Sequence, residues 1–405
     1  MEKIEHLTSD QLLDYVTEQV VGRQVMFETP FGWKLKIYTD YTASGQNCHF
    51  VENIMTRVEE LYSNTHMETS ITGAYSSRLL RDAKIEVLKA LHADPERYLC
   101  VGQGYGCCWA IEQTQKFLGT YLPSATKKQI AMAFDGDFEK LKDALRAKDQ
   151  LPIVILSHVE HLANERSWRN QLCDVEICPG FIDGSVDLKA LEEILKKYHG
   201  KRKLIIGSFT AASNLTGISM DIEGISSTLK KYGALSFYDF AATSPYAPMD
   251  LSKRTEDGRC LIDGLYISPH KYIGGPGASG ILVFNRKCFE ATAGTDAQWR
   301  KDQLMADENI PVTPGILQII KSGLAFRLKA KLQPSLEARE HHHLHRFKET
   351  TKSFNNFRLL GPEIDESRTD RVGIVAFMIL HKDRQLHHNF VGQLFNDIFG
   401  IQCKS

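Results

Sequence analysis

Between residues 98 and 285 the chain keeps returning to short, almost wholly apolar runs separated by amphipathic stretches. Residues 152–157 read Pro-Ile-Val-Ile-Leu-Ser, 204–209 Leu-Ile-Ile-Gly-Ser-Phe, 234–238 Ala-Leu-Ser-Phe-Tyr, and 261–267 and 281–284 follow the same rule. Runs this short and this apolar are strands buried on both faces, which are characteristic of parallel sheets covered by helices. The intervening segments supply the helices: residues 76–92 carry Leu79, Leu80, Ala83, Val87 and Leu91 on one face, and 188–198 and 222–232 are also helical. The expected architecture is an α/β protein, with a three-layer large domain around a mostly parallel sheet. Its boundaries are expected at 35–295, with a small α+β domain at 296–405; residues 35–38 and 371–380 read as strands, and 129–134 as strand or turn. Residues 1–34 form an N-terminal helical segment packing near that small domain.

Composition removes several alternatives. With 405 residues and a formal net charge of -1, the chain has no electrostatic reason to hold nucleic acid or an anionic membrane. No apolar run reaches the roughly 20 residues of a membrane span, and the polar start Met1 to His6 lacks the apolar core of a signal peptide. Nine cysteines at irregular spacing, with no CxxC pair, argue for a reducing compartment and against a disulfide framework or structural zinc. Cytoplasm is the default location, with an organelle left open.

In open α/β sheets, ligand residues collect at the carboxyl ends of strands, so the residue after each buried run matters most. Run 261–267 delivers Ser268, His270 and Lys271 to a turn, followed by Gly274, Gly275 and Gly277. A lysine between two buried strands is costly as a cation, and a desolvated amine suits Schiff-base chemistry. A solvated loop lysine is the ordinary alternative. Asp239 stands just past run 234–238, an expensive place for a carboxylate without a purpose. His158, Glu160 and His161 follow run 152–157, and Asn214 lies beyond run 204–209, beside a glycine that would also suit a plain turn. Gly102, Gly104, Tyr105 and Gly106 join a strand to a helix, a phosphate cup by chemistry, with a dinucleotide reading still open.

The segment Ser268-Pro269-His270-Lys271 followed by Gly-Pro resembles the lysine segment of the class V pyridoxal-phosphate (PLP) enzymes, the branch of cysteine desulfurases and selenocysteine lyases. Glu160-His161-x-Ala163-Asn164 and Ser213-Asn214-x-x-Gly217 resemble two further family elements, in family order from about Tyr38 onward. The resemblance implies PLP-dependent transferase fold type I. It implies that Lys271 carries the cofactor, Asp239 meets the pyridine nitrogen, His161 stacks on the ring and helps move protons, and Asn214 bonds the phenolic oxygen. It implies that the backbone of Gly104, Tyr105 and Gly106, with Ser268 and His270, holds phosphate. The polar turn Asp40 to Gly45 is expected near the substrate, although a plain strand-to-helix turn fits equally well. Thr313, in a Thr-Pro pair, would reach the phosphate of a neighbouring subunit, which implies a homodimer.

Three departures accompany these matches. Ala242 replaces the Gln that desulfurases place beside the phenolic oxygen, and Val312 replaces a Gly. The family's catalytic-cysteine loop and carboxylate-clamping arginine belong beyond Ser405. The expectation is therefore a shortened form or a chemistry carried by other residues, with Cys403 a small buried strand residue and Lys404 where an Arg usually sits. A metal on His341 and His345 is disfavoured against a solvated helix face. The implied function is PLP-dependent chemistry on a small amino acid, nearest to cysteine or selenocysteine cleavage with a sulfur-acceptor protein as partner. Another class V aminotransferase, epimerase or lyase reaction, or a cofactor-binding scaffold without turnover, are the alternatives.

Overall fold

The computed structural model describes residues 4–65, 67, 69–288, 314–364 and 371–405. An N-terminal hairpin of β1 (Met26–Thr29) and β2 (Gly32–Leu35) leads into a short β3 (Ile37–Tyr38). The central sheet contains β4 (Tyr98–Gly102), β5 (Ile153–Ser157), β6 (Asp174–Cys178), β7 (Ile205–Thr210), β8 (Leu235–Asp239), β9 (Gly264–Ile267) and β10 (Ile281–Asn285). Its seven strands run in the order β4-β10-β9-β8-β7-β5-β6. Strand β10 is antiparallel to both neighbours, and the other pairs are parallel. The structure thus has the expected α/β class and mostly parallel sheet.

The period of two in the buried strands builds both faces at once. Ile153 and Ile155 enter one core with Val87, Leu91, Leu191, Leu229 and Phe326. Val154 and Leu156 enter the other with Ala110, Ile111 and Trp168. Helices Ile71–Ala90, Leu188–Tyr198 and Ile222–Lys231 cover the first face; Gly106–Phe117 and Leu162–Arg169 cover the second. Trp168 is fully buried, and losing a side chain of that size costs about 3–5 kcal/mol.

Around this body, the N-terminal helix Ser9–Glu18 starts with a reciprocal cap between Thr8 and Gln11. Its buried Leu12, Leu13 and Val16 pack on Leu328 and Leu332 of the long helix Ile316–Thr351. Beyond that helix, β11 (Phe357–Leu359), β12 (Phe377–His381) and β13 (Arg384–Gln385) form a small antiparallel sheet. The last strand, β14 (Ile401–Gln402), leaves it and pairs in parallel with β3.

Several local expectations need correction. Residues 129–132, expected as strand or turn, belong to a helix, Ser124–Met132, and 133–134 form the turn after it. Its partner is the adjacent helix Phe138–Arg146, and the local Lys- and Ala-rich composition favours helix over strand. The strand expected over 371–380 is confined to Phe377–His381. The expected 35–38 strand is interrupted at Lys36, whose N–H turns to Val25 O (2.9 Å). The proposed 295/296 domain boundary and Thr313 lie outside the described residues.

Candidate active site

The sheet order converts a scattered set of sequence positions into a row. At the carboxyl edge, in spatial order, stand the Gly104–Gly106 turn after β4, Ser268 to Lys271 after β9, Asp239 ending β8, Asn214 after β7, and His161 after β5. Because β10 runs the other way, its entry residue Gly280 lies at the same edge. Gly280 ties into the glycine turn on both sides: its N–H donates to Gly104 O (3.0 Å), and its carbonyl accepts from Gln103 N (3.1 Å).

The residues expected to hold phosphate converge closely. Gly104 and Gly106 adopt φ +58° and +66°, a region that other residues occupy only under strain. A Cβ on Gly106 would lie 2.9 Å from both Ser268 Oγ and His270 Cε1. Ser268 Oγ accepts from Cys107 N (2.9 Å) at the first turn of helix Gly106–Phe117. His270 is half-buried, and burial, reinforced by Lys271, lowers its pKa below the usual imidazole value. Tyr105 points into solvent at 84% exposure, so only its backbone is placed to serve as expected.

Lys271 ends a 3-10 turn, Pro269–Lys271, and is half-buried rather than enclosed between strands. The Asp40–Gly45 turn docks on this segment: Gly45 N donates to His270 O (2.9 Å), and a Cβ at Gly45 would collide with Tyr272 O. Asp239 is 5% exposed, and its Oδ1 accepts from Ala241 N (2.8 Å). Its charge and that of Lys271 both act on His161, Cys107 and Cys108. His161 caps helix Leu162–Arg169, with Nδ1 accepting from Ala163 N (3.1 Å). Lost solvation lowers its pKa, so at neutral pH the imidazole is uncharged. Asn214 sits half-buried on a turn built by Ser213, whose Oγ accepts from Leu215 N (3.3 Å) and Thr216 N (3.2 Å). His158, the weaker candidate, is exposed beside Gly180.

Cys403 corrects another expectation. It is exposed just past β14, because Thr39 N takes Gln402 O (2.9 Å) and holds the tail on the surface of the Asp40 turn. Lys404 acts electrostatically on Asp40 and His161. Sequence reasoning also gave no role to Glu160, whose carboxylate ties together three elements behind His161. The available signal was an acidic residue three positions after a wholly buried strand.

The sequence profile of the aminotransferase class-V family matches residues 121–398. This chain belongs to that family. Its members typically depend on PLP. A "Probable cysteine desulfurase" from Mycoplasma genitalium is 30% identical over 179 residues, 41% of this chain and 40% of that protein. The match thus spans about two fifths of that relative's length. In three dimensions the chain is similar to a NifS-like protein from Rickettsia africae, with TM-score 0.68, 17% identity, and 91% and 87% of the two chains covered. It is also similar to a cysteine desulfurase from Thermococcus onnurineus, with TM-score 0.66, 16% identity, and 91% and 83% covered. The fold is therefore the PLP fold type I of these class V structures. No helix among the described residues is long and apolar enough to cross a membrane.

The residues present fit PLP. A cradle closed by a Cβ at Gly106, a helix start, a buried carboxylate and a lysine lie along one edge, which is a donor set for a phosphorylated pyridine aldehyde.

Proposed function

We propose that this chain binds PLP on Lys271 and transforms a small amino acid, with cleavage of the carbon–sulfur bond of cysteine, or carbon–selenium of selenocysteine, as the nearest reaction. The observation that carries this reading is the row of Gly106, Ser268, Lys271, Asp239 and His161 on neighbouring strand ends. When bound, PLP supplies an electron-withdrawing ring that stabilises charge at the substrate Cα. The chain's residues do the rest. The amides at Gly104–Gly106, with Ser268 and His270, would hold the phosphate, and Asp239 would keep the proton on the ring nitrogen. His161, neutral at pH 7, would cover one ring face and accept a proton through Nε2, since Nδ1 is engaged by Ala163 N. Lys271 Nζ would bind the cofactor and then exchange a proton with Cα. Asn214 would meet the phenolic oxygen.

Exposed Tyr105, Ile182 and Leu215 on loops, with Ile71 and Leu162 at helix starts, leave apolar surface that supports a second copy of the chain as partner there. A sulfur-acceptor protein would be the further partner if cysteine is the substrate. Another class V reaction is the second reading, favoured by buried Ala242, which cannot supply the hydrogen bond that the desulfurase Gln makes. The products decide. Alanine and sulfide from L-cysteine support the first reading, and a keto acid supports transamination. A PLP-loaded protein that converts no amino acid overturns both.

A further inference from the structure

Directly behind His161, the Glu160 carboxylate gathers four donors from three elements. Its Oε1 accepts from Ser157 N (3.2 Å) and Ser157 Oγ (2.5 Å) at the end of β5, and from Thr210 N (2.7 Å) at the end of β7. Its Oε2 accepts from Asn164 Nδ2 (2.8 Å) in the first turn of helix Leu162–Arg169. Asn164 is itself locked, donating to Ser208 O (3.0 Å) and accepting from Trp168 Nε1 (3.0 Å) and Ser208 Oγ (3.0 Å). Thr210 is the register partner of Asp239. One carboxylate therefore clamps the segment that carries His161 to the strand beside Asp239.

We propose that Glu160 is the positioning residue of this site: ionised, it fixes His161 at the strand edge, and protonated, it releases part of that hold. The proposal rests on the site assignment above. Hydrogen bonds from Ser157, Thr210 and Asn164 all favour the carboxylate, whereas a carboxylic proton meets donor-only amides at three positions and can be accepted only by the Ser157 hydroxyl. The charged residue that opposes ionisation is Asp239 on β8; the groups that bond the carboxylate from β5, β7 and the helix, Ser157, Thr210 and Asn164, are uncharged, and the titratable His161 caps that same helix. Burial, the largest influence, with Asp239 adding to it, pushes the Glu160 carboxyl up to about 7. His161 itself titrates lower, so the two events separate.

The test uses the full chain without cofactor, with ¹³Cε1-labelled histidine followed by NMR across pH and the His161 signal assigned by its loss in His161→Asn. The expected wild-type curve has two inflections: one of His161 itself, below the usual imidazole value, and one near 7 from Glu160. Glu160→Gln removes the inflection near 7. Ser157→Ala keeps the carboxylate but takes away one donor, so that inflection moves to higher pH; this milder variant serves if Glu160→Gln does not fold. In PLP-loaded protein, Glu160→Gln is expected to lower kcat about 10- to 100-fold with KM altered less than about threefold, the signature of a misplaced group. A single inflection in the wild type, or one near 7 that survives Glu160→Gln, overturns the proposal. Failure of wild-type protein to take up PLP would instead remove the site assignment, while the histidine curve still reports on Glu160.

Discussion

The two edges of the central sheet both bury aspartate, and they treat it in opposite ways. At the amino end, Asp263 is saturated by its own neighbours. It forms a buried ion pair with Lys230, and it accepts from Ser236 N (2.8 Å) and Asn285 Nδ2 (3.3 Å). At the carboxyl end, Asp239 is also buried, yet among the described residues it meets only neutral donors, Ala241 N and the Cys107 thiol, and no ion pair. A buried charge satisfied from within is architecture. One held by neutral donors alone is destabilising unless a countercharge from outside meets it. That contrast supports the carboxyl edge as the candidate site without reference to any relative.

Substitutions at the two aspartates should therefore give opposite profiles. Asp263→Ala leaves Lys230 buried and unpaired and is expected to cost about 3–5 kcal/mol in denaturant unfolding. Its turnover per folded molecule should hold. Asp239→Ala should cut turnover by roughly a thousandfold or more while leaving unfolding nearly unchanged or improved. If both variants lose mainly stability, the contrast between the edges is broken.

A narrower cut concerns the cup. An alanine at Gly280 would put its Cβ 2.5 Å from Gly106 O and 2.7 Å from Gly106 N, so the glycine turn must shift. PLP affinity, read by fluorescence titration, should weaken by about tenfold. Asp239-dependent steps should persist in the protein that still binds. Unchanged affinity would mean the cup does not hold the phosphate.

The smallest effect lies between the two extremes. Glu340 on the long helix accepts from Gly373 N (3.0 Å), and burial pushes its carboxyl up to about 7. The folded state then keeps a proton that the unfolded chain releases in the ordinary carboxylate range. Its contribution to stability is present at low pH and declines as pH rises toward 7. Glu340→Gln keeps an acceptor for Gly373 and removes that decline, so its melting curve should vary less between pH 5 and 7, by about 2 °C relative to the parent. Parallel pH curves for the two proteins would remove Glu340 from the account.

What was legible in the sequence follows the same division. Buried strands announce themselves because both faces must be apolar, so runs 152–157, 204–209 and 234–238 and the polar residues ending them could be read directly. Lys271, Asp239 and His161 could be singled out as candidates because each follows such a run. Contacts between segments distant along the chain left no local trace. Nothing in Asp40 to Gly45 says that Gly45 binds the backbone of His270, and nothing in Cys403 says that pairing with β3 leaves it exposed. The hydrogen bonds of Glu160 are not legible in its own segment, because its partners Ser157 and Thr210 belong to two different strands. Helix Ser124–Met132 was missed because its short span exposes no buried apolar stripe.

The most direct test of the central claim is the visible absorption spectrum of PLP-reconstituted protein, followed by borohydride reduction and peptide mapping of the parent and of Lys271→Ala. The account predicts a cofactor band in the parent that shifts on adding L-cysteine, with the reduced pyridoxyl group on Lys271 and no adduct at that peptide in Lys271→Ala. An undiminished adduct in Lys271→Ala, or no band in the parent, would contradict it.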